Sequence, residues 1–122
     1  MSKLFKFLVG ALIALFAVSS LTACASSNAI DMTSIAAVID VRTADEVATG
    51  HLHGSININI EGADFETQMN ALDKSKNYVV YCRSGHRAGL AIDWMTQHGF
   101  TGNLINAGSV ADAAVATGMV IQ

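Results

Sequence analysis

Two short runs of apolar residues constrain the fold more than any other feature of this chain. Residues 36–41 and residues 77–81 are nearly continuous apolar segments of strand length. They lack the alternation of polar and apolar residues that is typical of a sheet with one solvent-exposed face. Strands of this kind are buried on both faces, which is typical of a parallel sheet covered by helices. The two runs therefore predict an α/β domain with 77–81 as its central strand, and ligands of such sheets bind at the carboxyl ends of the strands.

Helical patterns alternate with strand patterns along the rest of the chain. Two Ser/Thr residues stand three positions before an acidic residue, which is the spacing of a capping box at a helix start. Other segments carry apolar residues on one helical face. The predicted elements are helices that start near residues 43 and 109, helices over 62–73 and 86–98, and strands over 55–60 and 103–106.

A cysteine follows the central strand directly and begins a short basic loop. The residues after Cys82 are Arg83, Ser84, Gly85, His86 and Arg87. Two of the three arginines of the chain therefore lie within five residues of this cysteine. A free thiol with a pKa of about 8.5 is only about 3% ionised at pH 7, and a helix N-terminus or cationic neighbours increase that fraction. The loop indicates a nucleophilic thiolate that also binds an anionic substrate.

The N-terminal segment has the organisation of an export signal. Lysines precede an apolar run over residues 7–18, and small residues follow this run. The sequence of residues 21–24 resembles the lipobox of bacterial lipoproteins, in which cleavage precedes the cysteine and the cysteine becomes acylated. We therefore expect a signal peptide over residues 1–23, lipidation of Cys24 as the mature N-terminus, a tether over 25–34 and one domain over 35–122.

The same segment has two alternative fates. Cleavage after residue 25, at a small-x-small site, would give a soluble periplasmic protein. An uncleaved anchor is disfavoured because the apolar run is shorter than the roughly 20 residues of a spanning helix. With either cleavage the domain is exported, and we expect a periplasmic location with a lipid anchor, in the outer membrane of a Gram-negative host. Membrane contact is then expected only through the acylated N-terminus.

Charge and cysteine content narrow the classes of partner. Loss of the leader removes two lysines, so the formal net charge of −3 falls to −5, and nucleic acid is not expected as a partner. Cys82 is then the only free thiol in an oxidising compartment, which suggests chemistry. A buried structural cysteine is the alternative, but the neighbouring arginines favour catalysis. No metal or cofactor is expected, because His51 and His53 have no cysteine or carboxylate at ligand spacing.

Taken together, the motifs resemble those of the single-domain rhodaneses, from about Val38 to the C-terminus. The resemblance is carried by residues 39–42, 46, 50–58 and 81–87, and more weakly by 99–100 and 106–108. It implies a three-layer α/β fold with a mostly parallel five-stranded sheet flanked by helices, and an active-site loop from Cys82 to Arg87. Asn59 stands where the family usually has a proline, and Ser109 replaces the second glycine of a common pair. These departures affect loop geometry more than chemistry.

The resemblance also implies the reaction of a sulfurtransferase. Cys82 would take the outer sulfur of thiosulfate or a similar small anionic donor as a persulfide, and pass it to cyanide or a thiol. The residues expected to bind the donor are Arg83, Ser84, Gly85, His86 and Arg87. His86 either tunes the thiol or fills the turn. Asp40, Arg42 and Glu46 are expected to form an ion-pair cluster that supports the active-site face.

Two further function classes share these features. A cysteine-dependent phosphatase or arsenate-type enzyme also places a cysteine and an arginine in a loop before a helix. Those phosphatases have five residues between the two, whereas four separate Cys82 from Arg87, and a redox arsenate reductase needs a resolving cysteine. A persulfide carrier without fast turnover is the other alternative, and the sequence does not separate it from a sulfurtransferase.

Overall fold

The computed structural model describes residues 29–122, so the predicted signal peptide, Cys24 and residues 25–28 of the predicted tether lie outside the described residues. The strands are β1 (Ile35–Asp40), β2 (Ile56–Asn57), β3 (Asn77–Tyr81) and β4 (Leu104–Asn106). The α-helices are α1 (Ala44–Ala48), α2 (Phe65–Asn70), α3 (His86–Gln97) and α4 (Val110–Thr117), and a 3-10 turn over Met32–Ser34 precedes β1.

The strands form one parallel sheet in the order β2-β1-β3-β4. The two apolar runs of the sequence are its central strands, β1 and β3, and Asp40 is in register with Tyr81. Within residues 29–122 the sheet has four strands, so the expectation of a five-stranded sheet is wrong. The C-terminal residues do not join the sheet, because Ile121 pairs with Leu52 in an isolated antiparallel bridge.

Successive side chains of β3 point to opposite faces of the sheet, and helices cover both faces. Tyr78, Val80 and Cys82 lie in one buried cluster, together with residues of α2 and α3. Val79 and Tyr81 lie in the other, with α4 and the loop before β2. Burial of each large apolar side chain stabilises the fold by about 1.5–3 kcal/mol. This arrangement is the three-layer architecture expected from the sequence.

Residues that precede β1 also contact the domain. Ile30 and Met32 pack against the cluster on the α4 face, and the backbone N–H of Ile30 donates to the carbonyl oxygen of Ala116 at 2.9 Å. Part of the segment assigned to the tether is therefore packed on the domain. Among the helices that residues 29–122 form, none has both the length and the apolar character needed to cross a membrane.

Candidate active site

Cys82 lies at the carboxyl end of the central strand, where the chain turns into α3. Its side chain is 0% exposed, and its backbone N–H donates to the carbonyl oxygen of Gly108 at 3.0 Å. Gly85, the N-cap of α3, has a φ of 98°, in the left-handed region that favours glycine. A Cβ added there would lie 3.3 Å from the Cα of Gly108. The close approach of the two loops therefore requires glycine at this position.

The sulfur of Cys82 is surrounded by backbone N–H donors of its own loop. The N–H of Gly85 donates to Sγ at 2.9 Å, and the N–H of Ala88 lies 3.4 Å from it. Burial raises the pKa of Cys82, but hydrogen bonds from the N–H groups of Ala88, Ser84, Gly85 and Arg87 outweigh burial and hold it below its ordinary value. A larger fraction of the thiol is then thiolate at neutral pH. The amides of the loop and the start of α3, more than arginine side chains, stabilise the thiolate.

Arg87, at the end of the loop, forms a bidentate ion pair with Glu46. The two guanidinium nitrogens Nη1 and Nη2 donate to Oε1 at 2.7 Å and to Oε2 at 2.8 Å. The Arg87 guanidinium holds the pKa of Glu46 at about 2, well below its ordinary value of 4.5. Glu46 also completes the capping box of α1 with Thr43. The helix cap and the active-site loop are therefore joined through one carboxylate.

Arg83, Ser84 and His86 are exposed residues of the same loop. The N–H of His86 lies 3.5 Å from Oγ of Ser84, which is at the long limit of a hydrogen bond. Arg83 forms no ion pair with any residue of the described range 29–122. Its side chain lines a pocket of about 440 Å³ beside the loop. The roles predicted for these three residues in substrate binding stay predictions.

Asp40 and Arg42 form a buried ion pair at the end of β1. Nη2 of Arg42 lies 2.7 Å from Oδ2 of Asp40, and its Nε donates to Oδ1 at 2.9 Å. The same guanidinium donates to the carbonyl oxygens of Gly50 at 2.7 Å and Glu46 at 3.3 Å. The structure thus brings the three expected supporting residues together. Glu46 contributes its backbone carbonyl to Arg42, while its carboxylate pairs with Arg87.

Asn106 contacts the active-site loop, a role that the sequence motifs did not predict. At the end of β4, its Nδ2 donates to the carbonyl oxygen of Gly85 at 2.9 Å. Its Oδ1 accepts a hydrogen bond from the N–H of Gly108 at 3.0 Å. Gly108 in turn accepts from the N–H of Cys82, so one amide side chain links the two loops that hold the cysteine. The signal in the sequence was an asparagine two residues before a glycine, at the end of a strand next to β3.

The arrangement provides a thiol of lowered pKa, N–H donors and a cation at one edge of the sheet. Such a group is a nucleophile whose surroundings also favour small anions. Among the side chains of residues 29–122, no group of three or more His, Cys, Asp or Glu is placed to hold a metal ion.

Comparison with known proteins gives a consistent result. The profile of the family described as Rhodanese-like domain matches residues 25–113. The chain is 35% identical over 74 residues to the sulfurtransferase YtwF of Bacillus subtilis strain 168, covering 61% of this chain and 70% of that protein. It is 31% identical over 77 residues to thiosulfate sulfurtransferase PspE of Escherichia coli strain K12, covering 63% and 73% of the two chains.

A solved structure of a rhodanese with anions from E. coli superposes with a TM-score of 0.58 and 29% identity. The superposition covers 70% of this chain and 95% of that chain. A rhodanese-related protein from Thermoplasma volcanium also has a TM-score of 0.58, at 26% identity, with 74% and 87% covered. The resemblance inferred from the sequence motifs is confirmed, and the relatives support sulfurtransferase activity. The chain belongs to the Rhodanese-like domain family.

Proposed function

We propose that this protein is a thiosulfate sulfurtransferase in which Cys82 carries the transferred sulfur as a persulfide. The observation that carries the proposal is the contact between the N–H of Gly85 and Sγ of Cys82, at 2.9 Å. Several amides of the same loop hold the pKa of this thiol below its ordinary value. A cysteine of lowered pKa at a strand end, in a loop that turns into a helix, is an activated nucleophile.

The reaction proceeds in two displacements at sulfur. The Cys82 thiolate attacks the outer sulfur of thiosulfate, a bond forms between the two sulfurs, and sulfite leaves with the electron pair of the broken bond. An acceptor, cyanide or a thiolate, then attacks the outer sulfur of the persulfide, and Cys82 leaves as thiolate. The same amides that stabilise the thiolate of the free protein stabilise it again as the leaving group of the second step.

Electrostatics supports an anionic donor. Thiosulfate is a dianion, so its approach to a thiolate is repulsive unless positive groups offset the two like charges. Arg83 is exposed beside the cysteine, and Arg87 is close enough for the thiolate to contribute to its raised pKa, after the larger effect of Glu46. One relative is named a thiosulfate sulfurtransferase and one structural neighbour is described as a rhodanese with anions. Both descriptions agree with a site that attracts small anions.

The proposed setting of this reaction is the periplasm, with the domain attached to a membrane through acylated Cys24. The support is the order of residues 1–24, in which lysines, an apolar run and a lipobox-like segment follow one another. Intact mass of the mature protein tests this part, because acylation at Cys24 and simple cleavage after residue 25 leave different N-terminal residues and masses.

The decisive experiment follows thiocyanate formation from thiosulfate and cyanide by the purified protein and by its Cys82→Ala variant. We expect turnover by the native protein and complete loss in the variant, because no other side chain of the loop can accept sulfur. Intact mass after exposure to thiosulfate should rise by one sulfur atom, and proteolytic fragments should place that atom on Cys82. Circular dichroism of both proteins verifies that the variant retains the fold.

The other function classes correspond to other outcomes of this experiment. A persulfide on Cys82 without thiocyanate formation would identify a carrier that needs a particular acceptor. Hydrolysis of an aryl phosphate that Cys82→Ser abolishes would favour a phosphatase. The absence of both a persulfide on Cys82 and thiocyanate turnover would refute the sulfurtransferase proposal.

A further inference from the structure

A pocket of about 440 Å³ opens beside the active-site loop, and its size is that of a small-molecule site. Its lining residues are Arg42, Asp45, Glu46, Thr49 and Arg83. The pocket borders the loop at both ends. Arg83 follows Cys82 directly, so their Cα atoms are about 3.8 Å apart, and Glu46 holds Arg87 at the other end of the loop. The pocket therefore lies against the active-site loop, at the residue that follows the reacting cysteine.

Three of the five lining side chains are already engaged with the protein. The Arg42 guanidinium is bonded to Asp40 and to two backbone carbonyl oxygens. The Glu46 carboxylate is occupied by both terminal nitrogens of Arg87. The hydroxyl of Thr49 donates to the carbonyl oxygen of Glu46 at 2.6 Å. These groups shape the pocket wall but have little capacity left for a ligand.

The guanidinium of Arg83 and the carboxylate of Asp45 are the charged groups that remain available to a ligand. Both residues are exposed, and neither forms an ion pair within the described part of the chain. Asp45 also lies in the first turn of α1, where a carboxylate favours the helix. The pocket consequently presents one positive and one negative group to the same occupant.

We propose that this pocket is the acceptor subsite and that it takes a small amino-acid thiol, zwitterionic at neutral pH. The carboxylate of the acceptor binds Arg83, and its ammonium group binds Asp45. This inference rests on the proposed function and names the substrate class of its second step. The acceptor loses its thiol proton to solvent and its sulfur attacks the outer sulfur of the Cys82 persulfide. The new S–S bond gives the acceptor hydropersulfide, and the electron pair of the broken bond returns to Cys82.

The test compares four acceptors that carry the two charges in every combination. Cysteine has both charged groups, 3-mercaptopropionate only the carboxylate, cysteamine only the ammonium group, and 2-mercaptoethanol neither. Each is mixed in a single turnover with protein whose Cys82 has been loaded with persulfide by thiosulfate and freed of excess donor. Comparing a variant with the native protein for one acceptor at a time cancels differences in intrinsic thiol reactivity.

The informative variant is Asp45→Asn, which removes the negative charge and keeps the shape of the side chain. We expect the rate with cysteine, relative to the rate with 2-mercaptoethanol, to fall about two- to fivefold, as for loss of one exposed ion pair. The relative rate with cysteamine should fall similarly, and that with 3-mercaptopropionate should not. The matched control is Asp93→Asn, the same charge change at an exposed residue of α3 outside this pocket. It should leave all four relative rates as they are.

An equal change for all four acceptors, or no change with cysteine, would overturn the proposed subsite. A fall with Asp93→Asn as large as that with Asp45→Asn would also overturn it, because net charge alone would then be responsible. Failure of the proposed function itself looks different, since Cys82 would not acquire a persulfide from thiosulfate in the loading step. A protein that loads sulfur and forms thiocyanate but ignores the charges of the acceptor keeps the proposed function and loses only the subsite.

Discussion

The ends of the two central strands, β1 and β3, are neighbours in the sheet but differ in exposure and in chemistry. The N–H of Val41, just after β1, donates to the carbonyl oxygen of Tyr81 at 3.1 Å, so the segments that follow the two strands start side by side. At the end of β1, Asp40 and Arg42 are 0% and 5% exposed. After β3, the loop from Cys82 to Arg87 has a buried sulfur but several exposed side chains.

Each of these regions contains one carboxylate–guanidinium pair with a closest N–O distance of 2.7 Å. The side chains of Arg42 and Asp40 are 6% and 0% exposed, whereas those of Arg87 and Glu46 are 20% and 30% exposed. Loss of one partner of a buried pair strongly destabilises the fold, because the other charge stays buried with neither a counter-charge nor water to compensate it. A partly exposed pair contributes little to stability. The Asp40–Arg42 pair at the end of β1 therefore mainly stabilises the fold. The Glu46–Arg87 pair keeps a partly exposed arginine close to the sulfur of Cys82, after β3.

The largest expected effect comes from removing the carboxylate of the buried pair. Asp40→Ala leaves the Arg42 guanidinium buried without its counter-charge, and we expect a loss of about 3–5 kcal/mol in the free energy of unfolding. Glu46→Ala, the matched change in the exposed pair, should cost about 1 kcal/mol for the pair, plus a contribution from its helix cap. Urea denaturation followed by circular dichroism measures both.

Equal losses in the two variants would remove the distinction between a structural and a functional pair. A domain of this size has a total stability of about 5–15 kcal/mol, so Asp40→Ala is close to the limit of folding. Asp40→Asn retains the shape and part of the hydrogen bonding to Arg42, and it gives a measurable intermediate loss if the alanine variant does not fold. A stability of Asp40→Asn equal to that of the native protein would contradict the argument.

The next effect concerns the loop after β3 and the residue that fixes it. Asn106→Ala removes the hydrogen bonds to Gly85 and Gly108, so the N–H donors around the sulfur are held less firmly. Because these donors lower the pKa of Cys82, their loss should raise it by up to about one unit, the equivalent of one hydrogen bond of about 1.4 kcal/mol. The rate of alkylation against pH, quantified on the peptide that contains Cys82, measures this pKa.

Asn70→Ala is the control, because Asn70 is an exposed asparagine at the end of α2. It should leave the alkylation profile where it is in the native protein. A purely structural role of Asn106 would instead lower the stability of its variant while the profile of Cys82 stayed in place. That result would show that the loop amides keep their positions without Asn106.

The sequence was most informative where local signals agree with the tertiary fold. Strand β3 has the predicted bounds, Asn77–Tyr81, since a continuous apolar run ends at a loop and is buried on both faces. The capping box at the start of α1 is present as predicted, because Thr43 and Glu46 interact across one helical turn. The position of Cys82 at a strand end, before a helix, followed from the same local patterns.

Features that depend on contacts between distant segments were not predicted. Strand β2 is shorter than expected, because the N–H groups of Ile58 and Ile60 bond to carbonyl oxygens of Asp40 and Val41 outside the regular ladder. The partner of Arg87 lies 41 residues away in sequence, and no spacing rule connects them. The contact of Asn106 with Gly85 is likewise set by the packing of β4 beside β3. Sequence patterns thus located the cysteine and named Glu46 as a supporting residue, while the structure identified the pairing of Glu46 with Arg87 and the contact of Asn106 with the loop.

The smallest expected effect is the pH dependence of the exposed pair. The Arg87 guanidinium lowers the pKa of Glu46 from 4.5 to about 2, so the folded state is stabilised when Glu46 is ionised. The contribution is fully present above about pH 4.5 and is lost as the pH falls towards 2.

Glu46→Gln keeps a capping-box residue at this position of α1 but cannot pair as an anion. We expect the native protein to exceed this variant by up to about 1 kcal/mol in free energy of unfolding at neutral pH, and the difference to shrink on acidification. Urea denaturation of both proteins from pH 7 to about 2.5 measures it. A difference that persists unchanged at the lowest pH would mean that Glu46 supports the loop by shape and neutral hydrogen bonds, and the contrast with the buried pair would then rest on burial alone.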